Sequence, residues 1–438
     1  MLERKVNKVV ALFLFSAVAA CAETRVLQHF TLIDGTGREP VADAAMIITD
    51  GRITWVGPAK NLKAPAGADT KDLSGKFVMP GIINLHGHVG NVINLTQDPK
   101  FFTRANIEKN LQTYARYGVT TVLSMGTDQD EIYKVRAAQR AGRPNMARVY
   151  TAGLGFTAKG GYGGLAGVTY ALNGNSEIAK DIASLKSKQA DMVKIWVDDH
   201  LGTMKKMPLE MSKGIIDASQ KQGMRVAAHV FYLQDAKDLT AAGVNGLAHS
   251  VRDQAIDQEL IDSMKKHGTW QIATTLSREA SMFVYGKTPK FVDDPFFTRA
   301  VSPQVIATLK DPAYQKKIAS DHDFAQYPGF FENAKRNLKK QVDSGVKYGF
   351  GTDSGPPGRF PGYFEHWEME LMVQAGLTPK QVIGAATKNS AEFLGAQDLG
   401  TLEPKKWADL IVLDKNPLLD IRNSRTIQSV YIAGNPVP

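Results

Sequence analysis

FVMPGIINLHGH, residues 77–88, is an apolar run that ends in two histidines separated by one glycine. Its β-branched and aromatic residues favour a buried strand. Because alternate residues of a strand point to the same side, His86 and His88 are expected to project together. Two neutral imidazoles on one face are half of a metal site. Taken alone, the motif is also compatible with two histidines that merely end a strand near each other.

Four more polar residues that can take part in a metal site occur in or at the end of predicted strands further along the chain. They are Lys194 within an apolar run, His229, His249 and Asp353. Each has a simpler explanation alone, since a buried histidine is usually a hydrogen-bonded core residue and a strand lysine usually extends to water. Functional side chains of a barrel gather at the C-terminal ends of its strands. The six residues together therefore predict a metal site.

The strands that carry these residues alternate with stretches of helical periodicity, such as 209–222 and 236–242. After the strand at 77–88, strands are predicted at 119–125, 147–152, 192–197, 225–230, 245–250, 269–275 and 347–352. Eight repeats of strand and helix predict an α/β fold, a (β/α)8 TIM barrel.

The segments that flank the barrel have β character, and 438 residues suffice for one large domain and a smaller companion. We expect residues 23–78 and 398–438 to build one small β-sandwich domain from both chain ends, with the barrel over 79–397. A long loop at 277–342 exceeds what one helix needs and predicts a lid or a substrate-binding loop. A surface insertion or an oligomer contact is the alternative.

Residues 1–22 have the pattern of a signal peptide: three basic residues near the start, then an apolar stretch too short to span a bilayer. The run Val18-Ala19-Ala20-Cys21 resembles a lipobox, and lipidation of Cys21 would anchor the protein to a membrane. Ordinary cleavage near Ala20 or Ala22 is the alternative. Both predict an exported protein, periplasmic or secreted. Cys21 is the one cysteine of the chain, so no internal disulfide contributes to stability.

The net charge of +9 comes from basic residues that are scattered along the chain, without a basic block or an aromatic-interleaved basic stripe. This distribution argues against nucleic-acid binding. We interpret the charge as an aid to solubility and to the attraction of anionic substrates.

The ordered set of ligand residues resembles the amidohydrolase superfamily over nearly the whole chain after residue 22. The resemblance includes the Met79-Pro80-Gly81 entry into the first strand and the C-terminal run at 408–413. It is strongest for imidazolonepropionase-like proteins and dinuclear metal-dependent peptidases, which are prolidase- and carboxypeptidase-like. One departure concerns Phe231, which stands where the peptidases often have a substrate-polarising tyrosine, with Tyr232 beside it.

The resemblance implies two divalent metal ions, with zinc expected, and a CO2-derived carbamate on Lys194 that bridges them. One metal would be held by His86, His88 and Asp353, and the other by His229 and His249. Only a neutral amine reacts with CO2, and burial of Lys194 in an apolar strand favours that form. A metal-bridged hydroxide would attack the substrate, with Asp353 as general acid and base. Helix N-capping is the structural alternative for Asp353.

The resemblance implies hydrolysis of an amide bond in a short peptide or an N-acyl amino acid, such as ochratoxin. A cyclic amide, as in imidazolonepropionase, a lactone or a phosphoester is the alternative substrate. A non-catalytic binding protein would lack some ligands, and none of the six is missing. Arg252 is a candidate clamp for a substrate carboxylate, or a surface partner of Asp253. Tyr162 and Tyr232 are further candidates for substrate contacts. Relatives often assemble, so a homo-oligomer is expected.

Overall fold

The computed structural model describes residues 23–438, so the predicted signal peptide and Cys21 lie outside the described residues. The strands are β1 (Thr24–Leu32), β2 (Val41–Thr49), β3 (Arg52–Pro58), β4 (Asp69–Asp72), β5 (Phe77–Pro80), β6 (Ile82–Gly87), β7 (Val92–Ile93), β8 (Thr96–Gln97), β9 (Val119–Ser124), β10 (Arg148–Thr151), β11 (Phe156–Ala158), β12 (Tyr170–Leu172), β13 (Val193–Trp196), β14 (Val226–His229), β15 (Gly246–Leu247), β16 (Trp270–Gln271), β17 (Leu410–Leu413), β18 (Ile427–Ile432) and β19 (Asn435–Pro436).

Helices alternate with the central strands and then dominate the second half of the chain. The α-helices are α1 (Arg104–Arg116), α2 (Glu131–Ala141), α3 (Ile178–Ser187), α4 (Leu209–Lys221), α5 (Leu233–Ala241), α6 (Gln258–His267), α7 (Leu276–Val284), α8 (Pro295–Thr298), α9 (Pro303–Lys310), α10 (Pro312–Ala319), α11 (Tyr327–Asp343), α12 (Tyr363–Gln374), α13 (Pro379–Gly384) and α14 (Ser390–Leu394). Within residues 23–438, no helix combines the length and the apolar character that crossing a bilayer requires.

The central strands are parallel neighbours in chain order. β6 pairs with β9 and β9 with β10, and a second sheet runs from β13 through β14 and β15 to β16. A hydrogen bond from the Asp191 amide to the Thr151 carbonyl, 2.8 Å, joins the two sheets. The segment 347–354 pairs with β16 on one side and with β6 on the other. The last segment of the α/β arrangement is therefore a neighbour of its first strand, β6. The carboxyl ends of these strands share one face.

The predicted eighth strand at 347–352 is not a regular strand. It forms isolated bridges, Tyr348 with Gln271 and Ser354 with Gly87. Glycines make this close contact possible, because a Cβ on Gly351 would lie 2.7 Å from the Cβ of Ala273. The segment still hydrogen-bonds through its backbone to both neighbours, since the Gly349 amide donates to Gln271 and the Leu85 amide to Phe350, but it does not form a regular strand.

Both chain ends contribute strands to a second β structure beside the central strands. β5 pairs with β1 and with β17, and Val78 lies opposite Val412. The structure has one continuous eight-stranded sheet here, in the order β19-β18-β17-β5-β1-β2-β3 with β4 on β1. The strands of the two chain ends are joined by hydrogen bonds through β5, and the two-layered sandwich stays a prediction. Since β5 runs directly into β6, this sheet adjoins the histidine strand.

The predicted loop at 277–342 is largely helical, and it contains nearly all of α7 and α11, with α8, α9 and α10 between them. Aromatic residues give this connection its own core, in which Phe291 and Phe297 pack with Tyr363 of α12. The long connection is therefore built of helices, and its role as a lid or substrate-binding segment stays a prediction. Helix α7 begins directly beside the predicted metal ligands, so the connection does reach the candidate site.

Candidate metal centre

His86 and His88 project together from the end of β6, as the strand period predicts. Gly87 between them has no room for a side chain, since a Cβ would lie 2.6 Å from a Val122 methyl carbon. The Nδ1 atom of His86 lies 3.0 Å from the Ala248 carbonyl oxygen and donates to it. The Nε2 lone pair of His86 is thereby left free to bind a metal.

Asp353 lies in the segment 347–354 beside β6, and its carboxylate faces His86 and His88. Its backbone has a left-handed φ of 56°, uncommon for a residue with a side chain and often found at functional sites. Oδ1 lies 3.0 Å from His88 Nε2 and 3.6 Å from His86 Nε2, while Oδ2 accepts a hydrogen bond from Arg359. The next helix begins only at Tyr363, so Asp353 does not cap a helix.

The electrostatic state of the three groups fits metal binding. Ligand atoms of His86, His88 and Asp353 all lie within 4.8 Å of one another. Burial lowers the pKa of both histidines, so they are neutral, as a metal requires. Burial alone would raise the pKa of Asp353, but Arg359 and the histidines lower it well below its usual range. Two imidazoles and a carboxylate are a donor set suited to a divalent metal such as zinc.

Lys194 on β13 is fully buried, and its Nζ lies 3.4 Å from His86 Nε2. Burial lowers its pKa to about 7, which makes the neutral amine available near physiological pH. The predicted carbamate would thus form beside the histidine pair.

His229 and His249 end the next two strand segments and complete the ring of predicted ligands. Their ring centroids are 4.1 Å apart, and His249 lies 4.8 Å from His86 by the same measure. Burial lowers the pKa of His229 to about 3 and that of His249 well below its usual value, so both are neutral. The structure therefore brings all six predicted metal-site residues together.

Asp198 is a member of this site that the sequence interpretation missed. Its Oδ2 lies 2.8 Å from His229 Nε2, and both side chains are buried. An ionised carboxylate only accepts hydrogen bonds, so His229 donates through Nε2 and keeps its Nδ1 lone pair for a metal. The sequence signal that could have identified Asp198 is its position directly after the predicted strand at 192–197.

Substitution of Asp198 by Asn should weaken metal binding at His229. The amide can present an N–H to His229 and favour the other tautomer, and loss of such partners costs about 10- to 100-fold in metal affinity. Titration of metal-free protein with Co²⁺, followed by its visible absorption, measures this. Asp199→Asn is the matched control, because Asp199 accepts from Tyr232 instead. Equal affinities of Asp198→Asn and the control would contradict the role.

A cavity of about 140 Å³ opens onto the four histidines and Asp353. Tyr162 lines it, with its ring 5.0 Å from that of His229. The adjacent Gly163 has φ +109° and allows the loop to lie against Trp196, because a Cβ there would lie 2.1 Å from the indole. Tyr162 is therefore placed to touch a bound substrate.

The other two predicted substrate contacts lie outside the cavity lining. Tyr232 donates to Asp199 at 2.7 Å. Arg252 is buried and donates to the Val230 carbonyl at 2.7 Å, with its Nε 3.2 Å from a Glu279 oxygen. Among the described residues it forms no surface pair with Asp253, whereas its role as a substrate clamp stays a prediction. Its partner Glu279 belongs to α7, too distant in sequence for a local pattern to reveal.

The matches to known proteins agree with this geometry. The amidohydrolase family model matches residues 77–437. The ochratoxinase of Aspergillus niger is 23% identical over 92% of this chain and 83% of its own length. The imidazolonepropionase of Deinococcus deserti is 23% identical over 90% of this chain and 92% of its own.

A solved structure supports the fold independently. A Xaa-Pro dipeptidase with bound methionine in its active site superimposes with a TM-score of 0.73 at 23% identity, covering 94% of this chain and 99% of that one. The likeness establishes a TIM-barrel-like α/β fold. The family model matches most of this chain, so the chain belongs to the amidohydrolase family.

Proposed function

We propose that this protein is a dinuclear metal-dependent hydrolase of amide bonds, built on a complete (β/α)8 barrel. The observation that carries the proposal is the position of Lys194, buried with its Nζ 3.4 Å from His86, whose ring neighbours that of His249 and, through it, that of His229. A lone metal would need only part of this set. A buried lysine that can become a carbamate supplies a second carboxylate-like ligand.

The residues present divide into two sets of ligands. His86, His88 and Asp353 would hold one divalent ion, His229 and His249 the other, with the carbamate of Lys194 between them. When bound, the metals would lower the pKa of a water ligand and polarise the scissile carbonyl. Zinc is the expected metal for imidazole-rich sites.

Asp353 is placed to move the proton. Arg359 occupies its Oδ2, so Oδ1, on the side of the histidines, is the oxygen that can accept a proton from the attacking water. The same oxygen would deliver it to the leaving amine. Tyr162, on the cavity wall, would orient the substrate.

The substrate class that we propose is a dipeptide or an N-acyl amino acid. The proposal is supported by the names of two matched proteins, an ochratoxinase and a Xaa-Pro dipeptidase. A cyclic amide would be the next class to test, given the matched imidazolonepropionase.

We further propose that the protein is exported through residues 1–22, with Cys21 as a lipid anchor, and that it assembles as a homo-oligomer.

Amino-acid release from a panel of dipeptides and N-acyl amino acids tests the function directly. Zinc-reconstituted protein without residues 1–22 should release amino acid, and a chelator should reduce the rate to background. Added zinc should restore it. Absence of release from protein shown to carry two metals would refute amide hydrolysis of this class and direct attention to cyclic amides or lactones.

A further inference from the structure

A second cavity adjoins the catalytic one. It has a volume of about 160 Å³ and lies between the turn at 92–94, helix α1 and the segment 300–305. Pro356 and Arg359 line both cavities, so the two spaces lie on either side of these residues. A molecule whose reacting bond lies at the histidines could therefore extend past Arg359 into this chamber.

The charge of the chamber is positive. Lys109 and Arg359 contribute cations to its wall, and among the described residues that line it none is acidic. Within residues 23–438, Lys109 has no ion-pair partner. A chamber with two cations and no acid favours an anionic group.

Arg359 has donors to spare. Its Nη1 donates to Asp353, whereas its Nε and Nη2 make no hydrogen bond with any residue in the described range 23–438. The side chain is one-fifth exposed, so water or a ligand can reach it. A planar guanidinium with two free donors matches a carboxylate in the bidentate geometry.

The neighbouring arginines contact protein groups and lie behind the cavity wall. Arg278 donates to Glu279 at 2.9 Å, and its Nε lies 3.8 Å from Asp353 Oδ2. Arg252 lies against the other oxygen of the Glu279 carboxylate. Both are buried, and neither lines either cavity. Arg359 is therefore the arginine that a substrate can reach.

We propose that the chamber binds the free α-carboxylate of the amino-acid portion of the substrate, held between Arg359 and Lys109. This inference rests on the proposed amide hydrolysis and adds a specificity to it. Val301, Val305 and Phe360 give the chamber an apolar side that can accept the side chain of the same amino acid. Substrates with a free carboxylate would be preferred over those with a neutral end.

The test compares N-acetylphenylalanine with N-acetylphenylalaninamide, with acetate release as the readout on the zinc enzyme. Wild type should favour the acid. Arg359→Met should lower kcat/KM for both substrates through its contact with Asp353, and for the acid by about 10- to 100-fold more than for the amide, the range expected on loss of a charge-assisted hydrogen bond. Lys109→Met should act in the same direction. Lys266→Met, an exposed lysine that lines neither cavity, is the matched control.

Arg359 also contacts Asp353, and the neutral substrate separates the two effects. An equal loss for acid and amide in Arg359→Met would show that the arginine acts only through Asp353 and would overturn the proposal. Partial recovery of the acid preference in Arg359→Lys would support it.

Calorimetric binding of phenylalanine and phenylalaninamide to the zinc protein gives a readout that needs no turnover. If phenylalanine binds to wild type and not to Arg359→Met, the result supports carboxylate binding in the chamber. This holds even if no N-acyl amino acid is cleaved, and in that case only the proposed function fails. Cleavage with the same acid-to-amide ratio in wild type and Arg359→Met would leave the function standing and refute the chamber.

Discussion

Asp353→Asn should retain most of the bound metal and lose most of the hydrolytic activity. The amide oxygen can still contribute to the His86 and His88 site, but an amide cannot accept and return a proton. Removing a general acid–base group costs about 10²- to 10⁴-fold in kcat. Metal content by atomic absorption and kcat on the best dipeptide measure the two effects separately.

The separation of these effects is what tests the role of Asp353. Asp343→Asn changes an exposed carboxylate on α11 in the same way and should leave kcat unchanged. A variant Asp353→Asn with wild-type turnover would contradict the assignment. A variant that loses its metal in parallel with its activity would assign Asp353 to metal binding alone.

The candidate metal site could be predicted from the sequence because its signals are local. A histidine pair with one intervening residue, and single ligands at the ends of apolar runs, need only the strand period to be brought to one face. β6, β13 and β14 carry His86, Lys194 and His229 as expected. Helices α4 and α5 also follow the predicted stretches.

The groups that surround the ligands could not be predicted in the same way. Glu279 of α7 meets Arg252 through tertiary packing, and Arg359 returns to Asp353 across an irregular turn of the same loop. Neither contact leaves a periodic trace in the chain. The connection at 277–342 was predicted as a loop from its length alone, and short helices begun by proline, such as α9, give no long periodic pattern in a sequence.

Lys194→Ala should lose metal and activity together, because the carbamate that would join the two ions cannot form. Acetate or propionate in excess should restore part of both, since a short carboxylate can occupy the space that the side chain leaves. Lys194→Met is the matched control: it also removes the amine but fills the space, so the same acids should not rescue it. Full activity of Lys194→Ala without added acid would refute the bridging role.

The pH dependence of metal loading provides a second, independent test of Lys194. Its pKa near 7 lies below the ordinary value of 10.5, so the neutral amine becomes the major form as the pH rises through 7. Reactivation of metal-stripped protein by bicarbonate and zinc should therefore be slow at pH 6 and fast at pH 8. Asp353 remains ionised over this whole range because its pKa is lowered well below the usual value. If the rate of metal loading changes near pH 7 and the turnover of preloaded enzyme does not, the titrating group is Lys194. A loading rate that is independent of pH would contradict carbamate formation.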